Sequence, residues 1–257
     1  MSLFQDLVIS YRLLAEYGLI DAYGHISVRS PDDPERFWIA AAVPPELVTE
    51  ADLMELDMNS QPVDAQGRSP VNERFIHGEV YRVRPEVMAV VHNHSPSVIP
   101  FCCTDTPLRP IFHMGAFIGQ GVPNWDIREA KEGSDMLVRD TYLGASLARK
   151  LGGHPAALMR GHGAVVVGES LQVAIGRSVY LEQNARMQFQ ATLLAGANGA
   201  NGGNGANGGN GGNGGNGTIT FMDDKEVAAN VAWQEYGRFW QLARNQMLKK
   251  LAAEQSA

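Results

Sequence analysis

Four residues of this chain have the types and spacing that could hold a metal ion: Glu73, His92, His94 and His162. The two neighbouring histidines follow an apolar run at 87–91, rich in β-branched residues and typical of a buried strand. Side chains two positions apart on a strand point to the same face, so both imidazoles can approach one ion. Three imidazoles and a carboxylate form the ligand set of a catalytic divalent metal site.

The strength of this prediction depends on His162. A His-x-His pair by itself is a weak indication of a metal site, and a third imidazole makes that indication stronger. His162 stands between Gly161 and Gly163, which leave room for the backbone to turn and close on a ligand. The alternative is a tight turn with an exposed histidine. The adjacent Cys102 and Cys103 suit neither a disulfide nor a closed structural zinc site, and we expect two buried thiols.

The hydrophobic periodicity, together with capping and turn residues, predicts the helices and strands that must position these residues. Helices are predicted from Ser2 to Gly18 and over residues 71–83, 134–153, 170–194 and 223–254, and strands over 26–29, 37–40, 87–91, 157–159 and 164–167. The second helix carries Glu73 near its start, and the last one carries an aromatic face. The irregular alternation predicts an α/β fold with a mixed or largely antiparallel sheet and helices on both sides.

Composition limits the classes of function. The chain has 257 residues, 44% hydrophobic and 19% charged, which we interpret as one domain over residues 1–257. A net charge of −7 without a basic cluster argues against a nucleic-acid partner. Without an apolar run of about 18 residues or a signal-peptide pattern, we predict a cytoplasmic protein with no membrane partner. Residues 197–217 contain only Ala, Asn and Gly and are predicted to be a flexible segment.

Several motifs together resemble those of the class II aldolase/adducin family. They are Asn72-Glu73, Tyr81-Arg82-Val83-Arg84-Pro85, Val90-Val91-His92-Asn93-His94 and Arg160-Gly161-His162-Gly163-Ala164. The resemblance spans roughly residues 3–195 and the terminal helices. It implies a three-layer α/β/α sandwich around a mainly antiparallel sheet, and a homotetramer with active sites between subunits.

The resemblance also implies roles for the four residues. By position, His92, His94 and His162 correspond to the metal ligands, and Glu73 to a residue that is both a ligand of the free metal and an acid/base. Zinc is the first expectation for the ion, and such sites also accept manganese, cobalt and iron. Members of the adducin branch have the fold without the chemistry, so a non-catalytic scaffold is one alternative to an enzyme for this chain.

The departures from the aldolase pattern concern the substrate. Where the sugar-phosphate aldolases hold the phosphate with a Gly-Asn loop, a Thr-Gly turn and a Ser-Ser pair, this chain has Gly24-His25, Ala40-Ala41-Ala42-Val43 and Val71-Asn72. Alanine and valine replace hydroxyl donors there, which argues against a phosphorylated sugar. His25 is a candidate contact for a substrate carboxylate, or else a turn residue, and Asn72 is a candidate substrate contact. His113 lies about where the aldolases have a catalytic tyrosine and is a candidate proton donor, or else a scaffold histidine.

The sequences of residues 74–79, 95–101 and 135–139 indicate the subfamily. They are similar to those of family members that decarboxylate hydroxylated or oxo-substituted acids of aromatic catabolism. We therefore hypothesise a metal-dependent lyase that releases CO2 from a small-molecule carboxylate. An aldolase for an unphosphorylated hydroxy-keto acid is the second hypothesis, because retro-aldol cleavage develops charge in the same way. His77 and His154 are expected to be structural or solvent-facing.

Overall fold

The computed structural model describes residues 2–201 and 218–254. Within them the strands are β1 (His25–Arg29), β2 (Arg36–Ala40), β3 (Leu53–Asp57), β4 (Ala89–Asn93), β5 (Asn124–Trp125), β6 (Ala156–Met159) and β7 (Gly163–Gly168). They form one sheet in the order β3-β2-β1-β4-β7-β6-β5. Neighbouring strands are antiparallel except the pair β5 and β6. The mainly antiparallel sheet predicted from the sequence is confirmed.

Helices cover both faces of the sheet. They are α1 (Leu3–Glu16), α2 (Phe75–Val83), α3 (Ile99–Cys102), α4 (Thr141–Leu151), α5 (Leu171–Asn201), α6 (Asp224–Val231) and α7 (Gly237–Glu254), and short 3₁₀ helices lie at Pro45–Leu47, Glu50–Asp52, His113–Ile118 and Ile127–Glu129. No helix in the described part of the chain is long and apolar enough to span a bilayer.

Two apolar clusters, one on each face of the sheet, make up the core. On one face, residues of α1, α5 and α7 such as Leu14, Ile175 and Trp240 pack against the sheet. On the other, residues of α2 and α4 such as Ile76 and Leu143 pack against it. Alternating strand residues feed the two clusters, as a sheet buried on both sides requires. The three-layer architecture is therefore as the sequence predicted.

The segment before α4 differs from the prediction. The helix expected from Ser134 begins at Thr141, and its N-cap is Asp140, whose side chain accepts a hydrogen bond from Leu143 N–H. Ser134 instead accepts a hydrogen bond from Met136 N–H in a local turn. A serine side chain can close either a turn or a helix start, so this residue type does not distinguish the two. Met136 then takes a left-handed φ of 71°, which ends any helical path.

Two further differences lie at the edges of the prediction. The strand β3 was not anticipated, since it contains Glu55 and Asp57, residue types that are depleted in strands. The expected terminal helix is divided into α6 and α7, and the segment between them turns Tyr236 into contact with α5 at Gly176, where an added Cβ would lie 2.1 Å from the tyrosine ring. Of the aromatic face, Trp240 is buried and Trp233 is 86% exposed.

The Ala/Asn/Gly segment at 197–217 is only partly described. The backbone of α5 continues to Asn201, five residues into the segment that we predicted to be flexible. Residues 202–217 lie outside the described residues, so the prediction for them stays a prediction.

Candidate metal centre

Each of the four candidate ligands is placed by a different local structure. His92 lies inside β4, two residues from Val90, and so projects to the side of the sheet that α2 covers. His94 follows the end of that strand. Glu73 is in the turn before α2, where its carbonyl accepts a hydrogen bond from Ile76 N–H, rather than in the helix itself. The turn between β6 and β7 carries the fourth residue, His162.

The glycines beside His162 are required by geometry. Gly161 has a left-handed φ of 63°. A Cβ on Gly163 would lie 1.9 Å from the carbonyl oxygen of Asn93, so only a glycine lets β7 approach β4 this closely. Since Asn93 lies between His92 and His94, the same close approach brings His162 to the other two imidazoles.

The ligand atoms converge on one point. One atom from each of Glu73, His92, His94 and His162 lies within 4.8 Å of all the others. The Nε2 atom of His92 is 3.2 Å from Nε2 of His94 and 3.2 Å from Nε2 of His162. The Oε2 atom of Glu73 lies 3.7 Å from Nε2 of His92 and 3.5 Å from Nε2 of His162.

The second nitrogen of each ring determines what Nε2 can do. Nδ1 of His92 is 3.2 Å from the carbonyl oxygen of Ala164, and Nδ1 of His162 is 2.9 Å from that of Met136. Nδ1 of His94 is 3.1 Å from a carboxylate oxygen of Asp21. These oxygens only accept hydrogen bonds, so each Nδ1 can donate its proton to one of them and leave Nε2 free to bind an ion.

A divalent cation fits this donor set. Three bare nitrogens that face one another repel unless a positive charge lies between them. Two ligands at about 2.0–2.1 Å from a tetrahedral zinc ion lie about 3.3 Å apart, which matches the 3.2 Å separations of the Nε2 atoms. Oxygen acceptors on Nδ1 are also the usual partners that orient metal-binding histidines.

The electrostatics of the cluster favour positive charge at its centre. Burial would raise the pKa of Glu73, but its contacts with His162 and His92 lower that pKa well below the ordinary value, so it is a carboxylate. Burial would lower the pKa of His162, and the hydrogen bond and charge of Glu73 raise it above the ordinary value. Burial lowers the pKa of His92 far below that of a free imidazole. The place that favours a proton beside Glu73 favours a metal cation for the same reason.

A cavity of about 580 Å³ opens directly over the cluster. Glu73, His94 and His162 lie in its wall, and so do His25 and Asn72, the two candidate substrate contacts. Most of the remaining lining is apolar or aromatic and consists of Tyr11, Ala22, Tyr23, Gly24, Ala41, Ala42, Val43, Pro44, Val71 and Leu137. Among the described residues that line the cavity, none is a lysine or an arginine.

His113 is not part of this cavity. It is exposed, at the start of the 3₁₀ helix His113–Ile118, and borders a separate concavity together with Met222 and Trp233. Its proposed role as a proton donor therefore cannot be performed within the cavity of its own chain.

Sequence reasoning did not find the groups that orient the imidazoles. Two of them are carbonyls, of Met136 and Ala164, and a carbonyl leaves no signal in the residue type. The third, Asp21, is an exposed acidic residue with no motif around it. The loop before α4 was also missed: Val138 N–H donates to Oε1 of Glu73 at 2.8 Å and fixes the carboxylate, while Leu137 lines the cavity.

Comparisons with known proteins identify similar sequences. A family model described as the Class II Aldolase and Adducin N-terminal domain matches residues 5–189. The "Decarboxylase tropJ" of Talaromyces stipitatus is 35% identical over 198 residues, which cover 72% of this chain and 74% of the relative. The 3,4-dihydroxyphthalate decarboxylase of Terrabacter sp. strain DBF63 is 33% identical over 201 residues, covering 72% of this chain and 80% of the relative.

A solved structure shows the same fold. The L-fuculose 1-phosphate aldolase of Glaciozyma antarctica PI12 superposes with a TM-score of 0.72 over 99% of this chain and 90% of that one, at 19% sequence identity. At that identity the likeness concerns the fold alone.

Proposed function

Because this chain belongs to the class II aldolase and adducin family and is a lyase, we propose that it is a metal-dependent decarboxylase of a hydroxylated aromatic or an oxo- or hydroxy-substituted carboxylic acid. The proposed metal ligands are His92, His94 and His162, with zinc as the first choice and manganese, cobalt or iron as substitutes. The proposed acid/base is Glu73.

One observation carries the proposal. Three bare imidazole nitrogens and a carboxylate lie beneath an apolar cavity of about 580 Å³. A phosphate or a sugar needs many hydrogen-bond donors, and the side chains of Ala41, Ala42 and Val43 offer none. An aromatic ring or another flat apolar skeleton is complementary to that wall.

In the proposed reaction the bond between a carbon atom and its carboxylate breaks, CO2 leaves, and the electron pair stays on the carbon. A divalent ion at this site would supply a Lewis acid for that negative charge. Glu73 begins as a carboxylate because its pKa is lowered by His162 and His92, against the effect of burial. It therefore first takes the proton of a substrate hydroxyl and then delivers it to the carbon, which completes the exchange of CO2 for hydrogen.

The position of Glu73 suits this transfer. Its Oε1 is held by Val138 N–H at 2.8 Å, so Oε2 is the oxygen that faces the cluster. A carboxylate held by a backbone amide cannot rotate freely, and its second oxygen stays directed at the reacting atoms.

For His113 we propose a role across a subunit boundary. It is exposed and lies outside the wall of its own cavity, so it can serve as proton donor only to the cavity of a neighbouring copy. We propose a homotetramer in which this occurs. Light scattering would measure the mass, and mixing inactive His113→Ala with inactive His92→Ala subunits would restore about a quarter of the sites if the two residues act from different chains.

The experiment that tests the function is metal analysis combined with a CO2-release assay on 3,4-dihydroxyphthalate, dihydroxybenzoates and hydroxy-muconic acids. We expect about one ion per chain and CO2 release that disappears in His92→Ala. The control is His154→Ala, an exposed histidine away from the cavity, which should behave as the wild type.

Two outcomes contradict the proposal. Release of an aldehyde from an unphosphorylated hydroxy-keto acid, without CO2 from any acid, would favour the aldolase alternative, which uses the same ligand set. No bound metal, together with unchanged partner binding by Glu73→Gln and His92→Ala, would favour the non-catalytic scaffold.

A further inference from the structure

A buried chain of hydrogen bonds runs from the cavity wall into the core. Nδ1 of His25 is 2.7 Å from Nε2 of His77. Nδ1 of His77 is 2.6 Å from Oγ of Ser27, and this oxygen is 2.8 Å from the phenol oxygen of Tyr81. His77 and Ser27 are completely buried, while His25 and Tyr81 are each 2% exposed. The metal cluster itself is not part of this chain of four side chains.

The sheet and α2 place these residues together. His25 and Ser27 are two apart on β1, opposite His92 and Val90 of β4, so they share the face that α2 covers. His77 and Tyr81 are four apart on α2 and therefore lie one above the other on a single helical face. Two periodicities, of the strand and of the helix, thus align the four polar groups.

Both imidazoles of the chain are buried. Nδ1 of His25 and Nε2 of His77 share one proton, because two N–H groups cannot face each other at 2.7 Å. Burial lowers the pKa of His77 to about 3, so its ring is neutral. None of the hydrogen bonds in the chain involves a carboxylate that would compensate a charged ring. Each neutral ring then has one donor and one acceptor nitrogen, so the chain has a single direction.

The direction follows from the two ends of the chain. A phenol is a stronger donor and a weaker acceptor than an aliphatic hydroxyl, so Tyr81 donates to Ser27. The hydroxyl of Ser27 then donates to the bare Nδ1 of His77. Nε2–H of His77 donates to Nδ1 of His25. The only ring nitrogen left for the proton of His25 is Nε2, which has no partner within the chain and belongs to the side chain that lines the cavity.

We propose that Tyr81, Ser27 and His77 are positioning residues that hold His25 as the Nε2–H tautomer, a hydrogen-bond donor to an oxygen of the bound carboxylate substrate. His25 then neither coordinates the ion nor acts as a base, because both roles require a bare Nε2. This inference rests on the proposed function for the identity of the ligand, while the tautomer of His25 depends only on the hydrogen bonds among the four side chains.

The direct test is ¹⁵N NMR of the imidazole nitrogens of His25 in the full-length protein, metal-free and zinc-loaded. We expect a protonated Nε2 and a bare Nδ1 in both states, and a shift of the Nε2 resonance when 3,4-dihydroxybenzoate is added as probe. A bare Nε2 in either state would overturn the proposal.

Variants test two of the three positioning residues, His77 and Tyr81. His77→Gln keeps an amide donor about where Nε2 lies, and His77→Asn is too short to reach His25. We expect the wild-type tautomer in the first, a mixture of tautomers in the second, and a kcat for CO2 release that falls about 10–100-fold further in His77→Asn than in His77→Gln. Zinc content should remain the same in both. Tyr81→Phe removes the terminal donor at nearly constant volume and should also give mixed tautomers.

Failure of this inference is distinguishable from failure of the proposed function. If the wild type releases no CO2 from any acid but His25 carries its proton on Nε2, only the function is wrong. If His77→Asn and Tyr81→Phe leave the tautomer of His25 unchanged, the hydrogen-bond chain does not set that tautomer, and the inference is wrong whether or not the protein is active. Should one variant fail to fold, the other and the wild-type spectrum still decide.

Discussion

The buried neutral imidazole of His77 makes a quantitative prediction about acid stability. Burial lowers its pKa to about 3 in the folded protein, whereas an unfolded chain has a histidine pKa of about 6.5. Below pH 6.5 the unfolded state therefore binds a proton that the folded state does not. The free energy of unfolding must fall as the pH falls, and this loss ends only near pH 3. The contribution is fully present above pH 6.5.

The size of the effect follows from the two pKa values. Between pH 6.5 and pH 3, each pH unit lowers the free energy of unfolding by about 1.4 kcal/mol at full proton uptake. Between pH 7 and pH 5, His77 alone should then lower the unfolding free energy by about 2 kcal/mol. In His77→Gln this contribution is absent, so the variant should lose about 2 kcal/mol less than the wild type over the same interval.

Urea unfolding of the metal-free protein at pH 7 and pH 5, at one protein concentration, measures this difference. At an m-value of about 3 kcal/mol/M the midpoint of the wild type should shift by about 0.7 M more than that of His77→Gln. The exposed His154→Gln is the matched control and should follow the wild type. Equal pH dependence in His77→Gln and the wild type would refute the reasoning, because it would mean that His77 titrates normally in the folded state.

Three other substitutions have expected outcomes. Glu73→Gln keeps the hydrogen bond from Val138 N–H but cannot carry the proton, so kcat per bound metal ion should fall about 10²–10⁴-fold; a normal rate would remove Glu73 from the reaction. Gly163→Ala places a Cβ 1.9 Å from the Asn93 carbonyl oxygen and should cost about 3 kcal/mol in urea unfolding and weaken zinc binding in a chelator competition; wild-type stability would show that the two strands can separate freely. Arg29→Met removes donors to four backbone carbonyls from a side chain that is 6% exposed and should cost about 3 kcal/mol without changing metal content; a neutral effect would mean that water replaces the guanidinium.

The resemblance and the spacing of the motifs were sufficient to predict which side chains meet. His92 and His94 are two apart near the end of an apolar strand, and the structure brings them together with His162 and Glu73. The layers of the fold were also predictable, since periodicity along the strands and helices reports which face is buried.

A residue type does not predict the local structure where two structures use the same side-chain hydrogen bond. The residue type of Ser134 predicts a helix cap, but Ser134 closes a turn, and the helix begins at Thr141. Residue types therefore do not reveal the loop in which Val138 holds Glu73 and the carbonyl of Met136 holds His162. The location of His113 outside the cavity was equally invisible, because its distance from the site depends on packing between segments far apart in sequence.

The sequence by itself determined the kinds of atoms available to the site: three imidazoles, one carboxylate and a wall without serine, threonine, lysine or arginine side chains. The tertiary structure alone decided which nitrogen of each ring faces the centre and which one is tied back. A ring nitrogen takes or loses its proton according to its partner, and here the partners are the carbonyls of Ala164 and Met136, the carboxylate of Asp21 and, for His25, the ring of His77. Those partners come together only when strands and loops distant in the chain pack against one another, so the protonation pattern, and with it the chemistry, is a property of the folded protein.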